Sequence, residues 1–281
     1  MKSIWFLPAF LFSTVISCTD SNHTIKMKGS DTEVNLAVNL AEQFNKIDPS
    51  FSIAISGGGS GLGITSLLNG QADIANSSRP LTNEEIQMFR DKKIDIRTVV
   101  FAEDATAFVV SDQNPINEID IQTLGKLLNG TFTSWKPVSG VELPVNIYGR
   151  QSSSGTYSFV KKKLGIEYSP TAKEMTGNAQ ILEGIKIDKS GIGYVGAGYI
   201  SKEISANKGI KVLKIKNHAD STAISPLDRE AIQKRLYFFQ RPLYQFIPEK
   251  SWQKVEPFIE YETKGRGRNI IQNSGYYLIN K

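Results

Sequence analysis

Residues 24–45 read TIKMKGSDTEVNLAVNLAEQFN, and two hydrophobic periods meet within that stretch. Thr24 to Lys28 alternate as a half-buried strand does, and Gly29-Ser30-Asp31 breaks the alternation. Val34, Leu36, Ala37, Leu40, Ala41 and Phe44 then recur at the spacing of one helical face. A strand that passes through glycine and hydroxyl residues straight into a helix is the elementary step of an α/β fold.

The same step recurs along the chain. Phe51 to Ser56 suit a strand, and the glycine cluster Gly57 to Gly63 leads into a helix that runs to Asn69. Asp73 to Asn76 begin another strand. Thr82 to Phe89 suit a helix opened by a capping box of Thr82 with Glu85 three residues on. Val99-Val100 and Ala107 to Val110 are strand material. Helices are predicted over Ile121–Leu128, Ser154–Leu164 and Arg229–Arg235, and from Trp252 towards Thr263. Strands are predicted over Val145–Gly149, Ile192–Val195 and Leu243–Ile247. No internal repeat or low-complexity tract interrupts the pattern, so the expected class is α/β.

Three of the strand-to-helix junctions share a design: Gly29-Ser30-Asp31-Thr32, Gly59-Ser60-Gly61, and Ser152-Ser153-Ser154-Gly155-Thr156. Each sets hydroxyls and flexible backbone at a helix start, where the first N–H groups lack partners and the dipole is positive. An anion suits such a place. A single turn of this kind is more often a simple helix cap. Three of them, with Ser78-Arg79 in Asn76-Ser77-Ser78-Arg79-Pro80 and Arg150 just before the third turn, favour an anion site. Both arginines fall where a strand ends, the edge at which open α/β sheets bind ligands. A guanidinium can offer two parallel hydrogen bonds to a tetrahedral oxyanion.

These motifs, in this order, resemble the phosphate-binding proteins of bacterial ABC phosphate importers, the PstS-like members of the periplasmic binding protein family. The resemblance continues through Ile192-Gly193-Tyr194-Val195-Gly196, Arg241-Pro242-Leu243-Tyr244 and Gly275-Tyr276-Tyr277-Leu278, and so covers nearly the whole chain after Cys18. It implies a two-lobed type II periplasmic binding protein fold that closes on its ligand in a cleft between lobes. The two crossing strands would lie at Ala107–Ser111 and near Arg241–Ile247. It implies inorganic phosphate as ligand, an ABC transporter permease and ATPase complex as partner, a monomer, and no enzymatic activity.

Carried over by position, the resemblance implies phosphate contacts from Thr32, Ser60, Arg150, Ser154, Gly155 and Thr156, with Ser30, Asp31, Ser78, Arg79 and Asp104 as further candidates. Glu33 falls where some relatives use only a backbone N–H. In one branch of the family the position matching Arg79 is a carboxylate that accepts the proton of hydrogen phosphate. Here it is a cation, which leaves Asp31 and Asp104 as candidate proton acceptors. A carboxylate acceptor would repel sulfate, which has no proton to offer.

The amino terminus points to export. Met1-Lys2 and the apolar run Ile4 to Ile16 fit a signal peptide, too short for a permanent span. It ends in Val15-Ile16-Ser17-Cys18, which resembles a bacterial lipobox, so Cys18 is the expected lipidation site and membrane contact. The expected division is a signal peptide over 1–17, a lipidated tether over 18–23, one lobe from 24–110 with 243–281, and another from 111–242. The protein would then sit in the periplasm or at the cell surface. Cys18 is the single cysteine, so no internal disulfide can form and stability rests on core burial. With 40% hydrophobic and 22% charged residues, the chain can build such a core. Its net charge of +5 mildly favours anionic ligands, but the cations are scattered, so nucleic acid is not an expected partner.

Rival readings fare less well. A serine hydrolase would need a base beside Ser60 or Ser154, and the chain has only His23 and His218. No cofactor is expected, and no His/Cys/Asp/Glu group has the spacing of metal ligands. Gly191-Ile192-Gly193-Tyr194-Val195-Gly196 satisfies the dinucleotide fingerprint, but its middle reads as a strand. Lys264-Gly265-Arg266-Gly267-Arg268 is expected to be a solvated loop. Within the binding class, the alternative ligand is another tetrahedral oxyanion such as sulfate, molybdate or tungstate.

Overall fold

A computed structural model of the protein describes residues 24–201 and 208–279; the expected signal peptide, Cys18 and the tether lie outside the described residues. The first half begins with β1 (Thr24–Gly29), α1 (Val34–Asn45), β2 (Ser52–Ser56), α2 (Ser60–Leu68), β3 (Ile74–Ser77) and α3 (Asn83–Asp91). β1 lies parallel between β2 and β3. Helix α3 carries the expected capping box: the Thr82 hydroxyl accepts the Glu85 amide, and the Glu85 carboxylate accepts the Thr82 amide.

β4 (Ile96–Ser111) then leaves this half, and the second half follows: β5 (Glu118–Asp120), α4 (Ile121–Leu128), the short α5 (Lys136–Ser139), β6 (Asn146–Arg150), α6 (Gly155–Leu164), β7 (Lys173–Met175) and α7 (Asn178–Ile187). It is completed by β8 (Gly191–Gly196), α8 (Ala197–Ser201), β9 (Ile210–Val212), β10 (Lys214–Lys216) and α9 (Arg229–Gln233). The chain returns along β11 (Gln240–Pro248) and ends in α10 (Trp252–Lys264) and α11 (Gly267–Asn273). The main sheet runs β2-β1-β3-β11-β4-β8-β6-β7, with β9 also on β4.

The two halves are joined by β4 and β11. From Ile96 to Ala105, β4 pairs antiparallel with β11; from Thr106 onward it pairs with β8 and β9. The partner change therefore falls between Ala105 and Thr106, just ahead of Ala107–Ser111. The two strand segments expected at 99–100 and 107–110 are parts of one 16-residue strand. Polar Glu103-Asp104 interrupts its apolar run, because Asp104 faces a buried arginine on β11 rather than a hydrophobic core.

Each half has its own apolar interior. In the first, Leu36, Leu40 and Phe44 of α1 pack with Ile25, Met27, Val255 and Phe258 on one face of the sheet, while Ile64, Leu67, Phe89 and Phe246 fill the other. In the second, Phe108, Trp135, Tyr194 and Phe239 are fully buried. Burial of such large side chains contributes roughly 1.5–3 kcal/mol each, and with a single cysteine in the chain the halves rely on it rather than on an internal disulfide. The strand Gly191–Gly196 is buried throughout, between β4 and β6, so its glycines belong to a central strand and not to a nucleotide loop. β1 and β3 end at Gly29 and Ser77, and β6 ends at Arg150. Those carboxyl ends face one another across the gap between the halves.

Candidate anion-binding site

Three helix starts meet at that gap. Thr32, ahead of α1, and Thr156, in the first turn of α6, touch through their hydroxyl oxygens at 3.1 Å, though 124 residues separate them in sequence. Ser60 opens α2, and its Oγ accepts the Ser78 amide. Ser154 caps α6 by accepting the Tyr157 amide. The amide of Gly61 donates across the gap to the Ser153 carbonyl at 2.9 Å. Ser30, Thr32, Ser60, Ser78, Ser154 and Thr156 are all buried.

Two glycines permit this approach. Gly59 has φ +105°, a conformation that side-chain-bearing residues rarely adopt, and it lies against the Ser153 carbonyl. A methyl group on Gly155 would collide with the hydroxyls of both Ser60 and Ser78. The hydroxyl turns are thus fitted to one another, not merely adjacent.

Two guanidinium groups join them. Arg150 is 2% exposed; its Nη1 and Nη2 donate to Asn178 Oδ1 and the Thr176 carbonyl, and Asp31 lies 3.7 Å from Nη1. Arg241, on β11, points its Nη2 at Thr32, Thr156 and Asp104, each at 3.1–3.2 Å, while its guanidinium carbon sits over the Phe159 ring. One nitrogen on a crossing strand therefore touches a residue from each half. The Arg150 Nε, the Arg241 Nε and Nη1, and the Ser78 Oγ are buried with no protein partner. Leaving charged donors so placed without an acceptor is costly, and an oxygen-rich anion would satisfy them.

The carboxylates around the site hold its framework. Asp31 Oδ2 accepts the Asn178 amide at 2.8 Å, and Asn178 Nδ2 returns a bond to the Asp31 carbonyl. Asp104 accepts from the Gly198 amide and from Arg241. Burial raises the pKa of Asp104, against the pull of the Arg241 guanidinium. Glu33, next to Thr32, is fully buried, and burial pushes its carboxyl up to about 8 against the pull of the Ser30 hydroxyl and Arg241.

The sequence-predicted residues thus divide. Ser30, Thr32, Ser60, Ser78, Arg150, Ser154, Gly155 and Thr156 come together, and Asp31 and Asp104 stand beside the two arginines. Arg79 does not join them. Its guanidinium is held by both oxygens of Glu85 at 2.7 Å and by the Pro80 carbonyl. The capping-box glutamate lies six residues on and captures the cation locally, which corrects its expected place at the ligand. Sequence reading missed Arg241, Asn178 and Tyr276, whose hydroxyl donates to the Thr32 carbonyl. The available signal was an arginine before Pro242-Leu243 near the start of a largely apolar strand. No histidine approaches Ser60 or Ser154 among the described residues; His218 is exposed, in a turn with Ser221. Nor do the described residues include a cluster of three metal-ligating side chains.

A family model described as the PBP superfamily domain matches residues 18–263. The phosphate-binding protein PstS of Borreliella burgdorferi is 30% identical over 99% of both chains. Among solved structures, a putative phosphate ABC transporter substrate-binding protein from Clostridium perfringens, with bound phosphate, covers 92% of this chain and all of its own at TM-score 0.80 and 21% identity. That likeness speaks for the fold. An ABC-type phosphate transport receptor from Vibrio cholerae matches at TM-score 0.67 and 26% identity, over 91% of this chain and all of its own. A family match over most of the sequence, a full-length PstS relative and a shared two-part α/β fold agree, and the chain belongs to the PstS-like proteins of the PBP superfamily.

Proposed function

We propose that the protein binds inorganic phosphate between its two halves and delivers it to the permease and ATPase complex of an ABC importer. The observation that supports this most is the set of buried donors lacking protein partners, Arg150 Nε, Arg241 Nε and Nη1 and Ser78 Oγ, which come from both halves and from a crossing strand. A tetrahedral anion offers acceptors in every direction they require. Hydrogen bonds to such charged groups are worth about 1.5–3 kcal/mol each. The phosphate-binding names of the relatives lend the same support.

In this reading Ser30, Thr32, Ser60, Ser78, Arg150, Ser154, Gly155, Thr156 and Arg241 surround the ligand, and Asp31 and Asp104 hold the arginines in place. Each arginine already has a carboxylate neighbour, so hydrogen bonds and helix starts, rather than surplus positive charge, would carry the affinity. The lobes are 24–110 with 243–281 and 111–242, closing by a hinge at the crossing strands. Residues 1–17 serve as signal peptide, and Cys18 carries the lipid that keeps a monomeric protein at a membrane in the periplasm or on the cell surface.

A second reading, a carrier of sulfate, molybdate or tungstate, draws on one observation: Asp31 and Asp104 are both engaged by protein donors, which weakens either as the acceptor of a phosphate proton. Calorimetric titration of the mature, unlipidated protein with phosphate and with sulfate separates the readings. Tight, selective phosphate binding is expected. Equal or stronger sulfate binding would favour the second reading, and no heat from any oxyanion would remove both.

A further inference from the structure

Glu33 is the one carboxyl in the site with no assigned work. It is fully buried, and neither side-chain oxygen has a well-formed hydrogen bond, although the Ser30 hydroxyl is close enough to pull on the carboxyl. Arg241, the cation on β11 that acts on it, is already bonded to Asp104 on β4, a second negative neighbour. Tyr276, after α11, faces the same cluster, but its hydroxyl is committed to the Thr32 carbonyl. Arg150 lies beyond Arg241 and is turned to Asp31, Asn178 and Thr176. The remaining polar neighbour of Glu33 is the Ser30 hydroxyl, whose oxygen already accepts the Thr32 amide.

A serine hydroxyl has one proton to donate. If Glu33 is ionised, the carboxylate draws that proton, and Ser30 presents lone pairs to an arriving anion. If Glu33 carries its own proton, Ser30 is free to donate to the anion. An ionised Glu33 would also place a third negative charge beside a ligand that is itself negative.

We propose that Glu33 must hold a proton for the anion to bind, because ionised Glu33 competes with the ligand for the single proton of Ser30. The proposal rests on the phosphate reading of the site. It makes Glu33 a positioning residue that acts through Ser30, and it couples uptake of the anion to pH. The free protein loses the Glu33 proton as pH rises through about 8. Bound phosphate raises that pKa further, so the complex retains a proton that the free protein gives up, and affinity falls on the alkaline side.

The test is phosphate titration of the mature wild type, of Glu33→Gln and of Glu33→Met across the pH range from neutrality to moderate alkalinity, each repeated in two buffers of different ionisation enthalpy. Ionisation of phosphate itself enters all the profiles equally, so their difference isolates Glu33. Wild-type affinity should fall about fivefold more than that of either variant over the first pH unit above the Glu33 pKa, and about tenfold more per unit beyond it. Near that pKa the wild type should also take up a larger fraction of a proton per phosphate than either variant, because protons carried by phosphate itself contribute equally to all of them. Phosphate binding with superimposable profiles and equal proton uptake in wild type and variants would overturn the role of Glu33 and leave the phosphate reading standing. Absence of phosphate binding at every pH would remove that reading and this inference together.

Discussion

The carboxylate of Asp31 accepts the backbone amide of Asn178 at 2.8 Å, so a residue of the first half caps a helix of the second. Helix α7 has glycine at its N-cap and no side-chain cap of its own. Gly177 also lies close against the Asp31 carboxylate, where any larger residue would push it away. The bond exists only while the halves are together, so under the proposed hinge closure it contributes to the closed state.

Replacing Asp31 by Ala should therefore weaken phosphate binding more than it weakens the fold. A lost N-cap costs about 1 kcal/mol, or roughly a fivefold loss of affinity, with a further share from buried Arg150, which loses its carboxylate neighbour. Calorimetry should register that loss while the thermal midpoint of the phosphate-free protein stays close to wild type. A large drop in the midpoint with unchanged affinity would place Asp31 in the fold rather than in closure.

The two strand-end arginines should behave in opposite ways. Arg79→Ala removes the partner of Glu85 and the support of the α3 capping box, so it should lower stability by about 1–2 kcal/mol. Phosphate affinity should stay within about twofold. Arg150→Ala should reduce affinity at least about thirtyfold, the lower end of the usual scale for truncating a buried charged partner. Equal losses of affinity in both variants would contradict the placement of Arg79.

Gly155→Ala tests the fit of the hydroxyl turns. Its methyl group would collide with the Ser60 and Ser78 hydroxyls, which belong to the other half, so the second half can still fold around it. Phosphate binding should drop by more than tenfold with little change in the unfolding midpoint. Wild-type affinity in this variant would show that the turns do not need to approach so closely.

Stability should also depend on pH through Glu33. Its ordinary pKa of 4.5 is raised to about 8 in the folded protein, so between those values the folded state holds a proton that the unfolded chain has released. The stability this provides is complete below the unfolded pKa and is lost as pH rises towards the folded one. Denaturant unfolding of the phosphate-free protein should show a falling slope across that window, and Glu33→Gln should flatten it. The same slope in both proteins would rule out Glu33 as its source.

Much of this architecture is legible in the chain. The α1 face, the capping box of Thr82 and Glu85, and the hydroxyl turns at Thr32, Ser60 and Ser154 are local patterns, because helix periodicity and caps act within a few residues. What escaped depended on distant partners. Helix α7 lacks a local start signal since its cap, Asp31, lies 147 residues away. The continuity of β4 was hidden by Asp104, whose charge is matched only by Arg241, 137 residues on. Arg79 was misplaced for the converse reason: Glu85, a neighbour read only as a cap, also neutralises it.

Amide hydrogen exchange with and without phosphate examines most directly whether the two halves share one ligand. Protection should rise together at residues 29–33, 59–62, 76–79, 150–157 and 176–179, and at Arg241 on the crossing strand. Slowing confined to the turns of a single half, or an exchange map untouched by phosphate, would contradict a ligand enclosed between them.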